Sequence, residues 1–109
     1  MVTNRMQKFD ELIMREISMM LRELFPGQIV SVTQVHVSKD LSFAKVWVSA
    51  RENVEKVVSR CRAHAKEMRA ELSQKVVARR VPSLYFVSDL TEEKAEKIDK
   101  LLEEVKKQS

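Results

Sequence analysis

The spacing of hydrophobic residues changes several times along this chain, and each change marks the boundary of a predicted element. Residues 4–24 carry apolar side chains three and four positions apart, which is typical of an amphipathic helix. Thr3 or Asn4 can cap the start of this helix, and Pro26-Gly27 ends it. Its predicted buried positions are Phe9, Leu12, Ile13, Ile17, Met20, Leu21 and Leu24.

Two stretches of alternating apolar and polar residues follow, and they predict a β-hairpin. The strands are predicted at 29–38 and 41–50, with a polar turn at Lys39-Asp40. In a regular first strand, Val30 and Val32 would lie on one face, and Val35 and Val37 on the other. An extra residue in a β-bulge near Thr33-Gln34 explains this shift of phase.

The two faces of the return strand differ in chemistry. One face carries Ala44, Val46 and Val48, and the other carries Phe43, Lys45 and Trp47. An aromatic ring on an open sheet can stack on a nucleobase, whereas a covering helix would make the same ring part of the core. We expect Phe43 to belong to the core, and for Trp47 both roles stay open.

The second half of the chain predicts two more helices and one more strand. A long central helix is predicted at 53–78, Pro82 breaks the helical pattern, and a third strand follows at 83–88. Asp89 or Thr91 then caps a last helix, whose buried face is Ile98, Leu101, Leu102 and Val105. The buried stripe of the central helix is Val54, Val57, Val58, Cys61, Ala65, Met68, Leu72 and Val76. The order α-β-β-α-β-α predicts a single α+β domain over 1–109, with helices covering one face of a small sheet.

The positive charge of the chain is concentrated in the central helix. The net charge is +4. Residues 56–80 hold eight Lys or Arg against two acids, whereas 89–109 hold five bases against seven acids. Arg62, Lys66 and Arg69 form a stripe beside the apolar one, and Arg79-Arg80 adds two charges at the helix end. Lys and Arg neutralise phosphate, which makes RNA one possible partner. A merely solvated helix face and a surface for an acidic protein partner are the alternatives.

Composition excludes several other classes of function. One glycine in 109 residues leaves no Gly-rich phosphate loop, and no nucleophile, base and orienting group come together as a catalytic set. Cys61 and His64 are two ligands at most, so we expect neither a metal site nor another cofactor. Cys61 is the only cysteine, no apolar run approaches a membrane span and no signal peptide opens the chain, so we expect a cytoplasmic, non-membrane protein.

Three segments of the chain, in order, carry a family resemblance. In VHVSKDLSFAKVWVS, a valine-rich strand leads into Ser-x-Asp-Leu and then an Ala-Lys-Val strand. In RRVPSLYFVSDLTEEKAEKIDKLL, an Arg-x-x-Pro-x-Leu-x-Phe stretch is followed by an aspartate and the predicted final helix. Together with the opening helix, these segments resemble the bacterial ribosome-binding factor A family. The matching residues are Arg5, Glu16, Ile17, Leu21, Ser38, Asp40, Leu41, Ala44, Lys45, Val46, Arg79, Pro82, Leu84, Phe86 and Asp89.

This resemblance implies a type II KH-like domain without the usual Gly-x-x-Gly loop. It also implies a non-enzymatic assembly factor that binds the small ribosomal subunit (30S) and its 16S rRNA during late maturation and rRNA processing, and that aids growth in the cold. No small-molecule substrate is implied, and we expect a monomer. The RNA-binding residues are predicted to be Arg62, Lys66, Arg69, Arg79 and Arg80, with Lys45 on the hairpin adding to them.

The resemblance also implies a kink in the central helix. The family usually has Ala-x-Gly there, whereas this chain has Ala63-His64-Ala65. Alanine favours a straight helix over glycine by about 1 kcal/mol. Tertiary packing commonly outweighs such a difference, so we expect a bend, with a straight helix from about Val54 to Val77 as the alternative.

Overall fold

The structure, a computed structural model, describes residues 5–78 and 80–89. Its elements are α1 (Arg5–Leu24), β1 (Val30–Val37), β2 (Phe43–Ala50), α2 (Val54–Ala63), α3 (Ala65–Lys75) and β3 (Ser83–Ser88). These bounds confirm the predicted α+β order up to the third strand. The predicted last helix lies outside the described residues.

The three strands form one sheet in the order β1-β2-β3. β1 and β2 pair antiparallel through a short turn, whereas β2 and β3 pair parallel. A parallel pair needs a crossover connection, and α2 and α3 provide it. α1 packs on β1, α2 packs on β2 and β3, and α3 packs on β3 and α1. The described helices therefore cover one face of the sheet, as predicted.

The predicted bulge is present in β1. The register with β2 shifts between Val32 and Gln34, which leaves Thr33 as the extra residue. Because of this shift Val32, Val35 and Val37 are all buried on the helix side of the sheet. A strand without the bulge would have turned two of these valines to the opposite face.

The core lies between the sheet and the helices, and Phe43 is not part of it. Ala44, Val46 and Val48 are fully buried, whereas Phe43 is 43% exposed. The expectation of a core position for Phe43 is therefore wrong. The physical reason is that the described helices pack on the side of the sheet that carries Ala44, which leaves the Phe43 side open to solvent among the described residues.

The central helix is interrupted at His64, as expected. His64 has φ −102° and ψ 6°, outside the helical region, and it separates α2 from α3. Cys61 is fully buried at the end of α2, and Met68 and Leu72 are buried on α3, which also contacts α1. α2 and α3 thus pack on different sets of elements. This difference accompanies the break, although no glycine stands there. The central helix also ends earlier than the predicted residue 78, because the backbone of Val76 is extended.

The break predicts how the helix responds to glycine. Ala65 is the first residue of α3 and Ala70 is exposed in its middle. We expect Ala70→Gly to lower the free energy of unfolding by about 1 kcal/mol, because it weakens a helix interior, and Ala65→Gly to lower it by less. Urea denaturation followed by circular dichroism measures both. Equal losses would indicate that the helix runs unbroken through His64.

The hairpin turn is built from the family-like residues Ser38, Asp40 and Leu41. Asp40 Oδ1 accepts hydrogen bonds from Ser38 Oγ at 2.8 Å, Ser42 Oγ at 2.7 Å and Ser42 N at 3.1 Å. These bonds accompany a left-handed backbone at Leu41, with φ 61°. The Ser-x-Asp-Leu pattern therefore specifies a turn geometry.

The same bonds give the turn a pH dependence. Hydrogen bonds from the Ser42 hydroxyl, then the Ser38 hydroxyl, lower the pKa of Asp40 from 3.8 to about 2. A lowered folded-state pKa stabilises the fold above pH 3.8, and this contribution is lost as the pH falls toward 2. We expect the Asp40 carboxyl carbon to titrate near pH 2 by NMR. Asp40→Asn should make acid unfolding less steep between these values. A midpoint near 4 would show that the bonds do not form in solution.

Candidate nucleic-acid interface

The structure separates the predicted RNA-binding residues into different regions. Arg62 lies on α2, and Lys66 and Arg69 lie on α3, all three exposed. We call these three residues the basic surface. Arg80 is exposed beside the hairpin turn, where it shares a hollow with Lys39 and Asp40. Arg79 lies outside the described residues, and Lys45 is treated separately below.

Arg62 anchors α2 to the outer edge of the sheet. Its Nε donates a hydrogen bond to the Phe86 carbonyl oxygen at 3.0 Å. Ser83 N donates to the carbonyl of Ser42, just before β2, and Asp89 N donates to the Val48 carbonyl of β2, so odd-numbered residues of β3 face β2. Phe86 is an even-numbered residue of β3, so its carbonyl points away from β2 and toward the free edge of the sheet. Arg62 therefore satisfies an acceptor that no strand in the described part of the chain reaches.

Arg69 makes an equivalent contact from α3. Its Nε donates to the Val81 carbonyl oxygen at 3.1 Å, just before β3 begins. A guanidinium has five N–H donors, so one bond leaves the outer nitrogens available for a phosphate. Arg62 and Arg69 thus hold the two helices against β3 and still present positive charge to solvent. The sequence predicted the charge but not this anchoring.

The acidic side chains of α3 pair with groups outside the basic surface. Glu67 lies 3.1 Å from His64 Nδ1, and Glu71 lies 3.8 Å from Lys75 Nζ. Lys75 also reaches the half-buried Glu16 of α1 at 4.0 Å. Lys66 makes no hydrogen bond or ion pair with any residue in the described part of the chain. The positive charge of the basic surface is therefore not cancelled locally.

A second basic region lies where α1, β2 and α2 meet. A cleft of about 500 Å³ is lined there by Phe25, Arg51, Lys56 and Arg60, among others. The Arg60 guanidinium sits 5.6 Å from the centre of the Phe25 ring, which holds it by a cation–π contact. This region was not predictable from the sequence, because the residues that line the cleft come from separate parts of the chain. The only signal was that Lys56 and Arg60 share one helical face.

Lys45 lies on the other side of the molecule. We define the open face as the side of the sheet that carries Phe43, Lys45, Trp47, Tyr85 and Val87. Lys45 Nζ is 4.9 Å from the Trp47 ring centre, and His36 pairs with Lys45 across the hairpin. Because α2 and α3 pack on the opposite face, Lys45 does not extend the basic surface as the sequence analysis expected.

Cys61 and His64, the two candidate metal ligands on α2 and α3, have different surroundings. Cys61 is fully buried, and burial raises the pKa of its thiol from 9.0 to about 11. His64 is partly exposed and contacts Glu67 instead. Over residues 5–78 and 80–89, no three His, Cys, Asp or Glu side chains are placed to hold a metal ion. No helix in this range is long and apolar enough to span a membrane.

Comparisons with known proteins give a consistent match. The family model described as ribosome-binding factor A matches residues 5–102. The ribosome-binding factor A of Chlorobium phaeobacteroides is 38% identical over 112 residues, which cover 95% of this chain and 96% of that protein. The protein of the same name from Opitutus terrae is 32% identical over 113 residues, with 99% and 93% covered.

Solved structures with the same fold carry the same name. The crystal structure of ribosome-binding factor A from Thermus thermophilus matches with a TM-score of 0.71 at 24% identity, covering 76% of this chain and 93% of that chain. A homology model of the Thermus thermophilus protein, fitted into a cryo-EM map of a 30S–RbfA complex, matches with a TM-score of 0.65 at 24% identity, covering 73% and 90%.

Proposed function

Since this chain belongs to the ribosome-binding factor A family, with its KH-like fold, we propose that it binds the small ribosomal subunit and contacts 16S rRNA. It then assists late maturation and processing of that rRNA, in the cytoplasm and without catalysing a reaction. A relative of similar fold has been fitted into a map of a 30S complex, which supports the choice of partner.

The observation that carries the RNA contact is the uncancelled charge of the basic surface. Arg62, Lys66 and Arg69 project from two helices at one edge of the sheet, and the nearby acids Glu67 and Glu71 pair with other groups. Phosphate neutralisation by such residues supplies most of the sequence-independent affinity for RNA. Arg62 and Arg69 are also held by their carbonyl contacts, so less side-chain freedom is lost on binding.

Co-sedimentation with purified ribosomal subunits tests this proposal. We expect the tagged protein to pellet with small subunits and not with large ones. We also expect the recovered fraction to fall steeply as salt is raised, because phosphate contacts release counterions. Equal recovery on both subunits, or on neither, would contradict the proposal. Recovery on small subunits that does not depend on salt would favour the alternative, in which the basic helix docks on an acidic protein.

A further inference from the structure

The open face of the sheet has a composition that the basic surface does not explain. Tyr85 is 60% exposed and Phe43 is 43% exposed, although large aromatic side chains are usually covered. Their rings lie 5.9 Å apart in an edge-to-face arrangement, with an interplanar angle of 87°. Both side chains project from strands, so the rings are held by the sheet rather than by a loop.

The charge on this face has one sign along the strands. Lys45 lies between the aromatic residues, with its amine over Trp47, and His36 is next to it on β1. None of the strands β1, β2 and β3 contains Asp or Glu. Asp89 follows β3 at one end, where the Thr33 hydroxyl donates to its carboxylate at 2.6 Å. The body of the face therefore combines aromatic surface with positive charge.

A shallow hollow joins these groups. Phe43, Lys45, Tyr85 and Val87 enclose about 420 Å³, and apart from the Lys45 amine and the Tyr85 hydroxyl their side chains are hydrocarbon. A flat aromatic ligand with an attached anion matches such a site, because the ligand can stack on a ring while the lysine meets the anion. An unpaired nucleotide has this chemistry. An apolar helix from a protein would use the rings but would gain nothing from Lys45.

We propose that the open face stacks unpaired nucleobases of RNA on Tyr85 and Phe43, with Lys45 contacting the adjacent phosphate. This inference rests on the proposed function, since it assigns a second RNA contact to the same protein. The basic surface meets phosphates on the helix side, and the open face reads single-stranded RNA on the other side. RNA that engages both must pass around an edge of the sheet.

Trp47 reports on this face, because it is the only tryptophan of the chain. In the 109-residue chain, we expect oligouridylate to quench the fluorescence of Trp47 and an RNA duplex of equal length to leave it nearly unchanged. Tyr85→Leu should weaken oligouridylate binding about fivefold or more, which corresponds to the loss of one base stack. Tyr85→Phe retains the ring and should bind as the original protein does.

The same experiments should give different results if something other than RNA covers the open face. If residues 90–109 or a protein cover it, Tyr85→Leu retains the apolar contact and oligouridylate binding stays unchanged, which would overturn the inference. Trp47 fluorescence would then also be protected from quenching by acrylamide in the free protein, and adding oligouridylate would not increase that protection. Small-subunit pelleting separates the two proposals. If the unmodified protein pellets with small subunits but oligouridylate leaves its Trp47 fluorescence unchanged, the stacking alone is refuted. Failure of the unmodified protein to pellet with small subunits refutes the proposed function.

Discussion

Replacing Phe86 by Ala is expected to lower the free energy of unfolding by about 3–5 kcal/mol. Phe86 is 1% exposed and is among the largest fully buried side chains of the core between the sheet and the helices. Its removal costs transfer free energy and leaves a cavity that close-packed neighbours fill only in part. For a small domain whose total stability is about 5–15 kcal/mol, this is a large fraction.

The adjacent residue provides a matched control. Tyr85 precedes Phe86 on β3 and points to the open face. We expect Tyr85→Ala to change the free energy of unfolding by less than about 1 kcal/mol, because most of its ring is already in contact with water. Urea denaturation followed by circular dichroism measures both variants. A loss at Tyr85 as large as the loss at Phe86 would mean that the open face is covered in solution.

Changing Arg62, Lys66 and Arg69 together to Gln is expected to affect RNA binding most. Each lost phosphate contact removes about 0.7–0.9 from the slope of log affinity against log salt, so losing three contacts should flatten the slope by about 2.1–2.7. The fold should survive, although two hydrogen bonds to β3 and its approach are lost. At about 0.5–1.5 kcal/mol for each bond, the stability loss stays below that of Phe86→Ala.

Charge and anchoring can be separated at the same positions. Arg62→Lys with Arg69→Lys keeps the charge but removes the planar guanidinium that donates through Nε. We expect this variant to keep the salt dependence of RNA binding while losing stability. Lys66→Gln should reduce the salt dependence while keeping stability, since Lys66 makes no hydrogen bond or ion pair with the described residues. If RNA affinity and stability fall together in all these variants, the role of the basic surface is only structural.

The local elements were predictable because each depends on a short pattern. Alternation with period two indicated the hairpin, and the phase shift in that alternation indicated the bulge at Thr33. The break at His64 was expected from family resemblance and not from the residues, since alanine on both sides favours a continuous helix. Tertiary packing overrides that local preference for a helix, and a short sequence pattern does not predict such packing.

The errors concern features that depend on distant parts of the chain. Alternation showed that Phe43 shares a face with Lys45 and Trp47, but both faces of β2 carry apolar residues, so the pattern did not say which face the helices cover. In the same way, Arg62 was correctly placed on an exposed stripe. Its contact with Phe86 joins residues 24 positions apart and exists only once β3 has docked.

The contact between Arg62 and Phe86 also bears on how the protein avoids association with copies of itself. Among the described residues β3 is an edge strand, and an edge strand with free carbonyl and amide groups can accept a strand from another chain and so begin aggregation. Arg62 occupies the carbonyl at the middle of that edge, and its bulk and charge oppose the approach of a second backbone. The Arg62 side chain thus opposes the addition of a further strand beside β3 in the described part of the sheet.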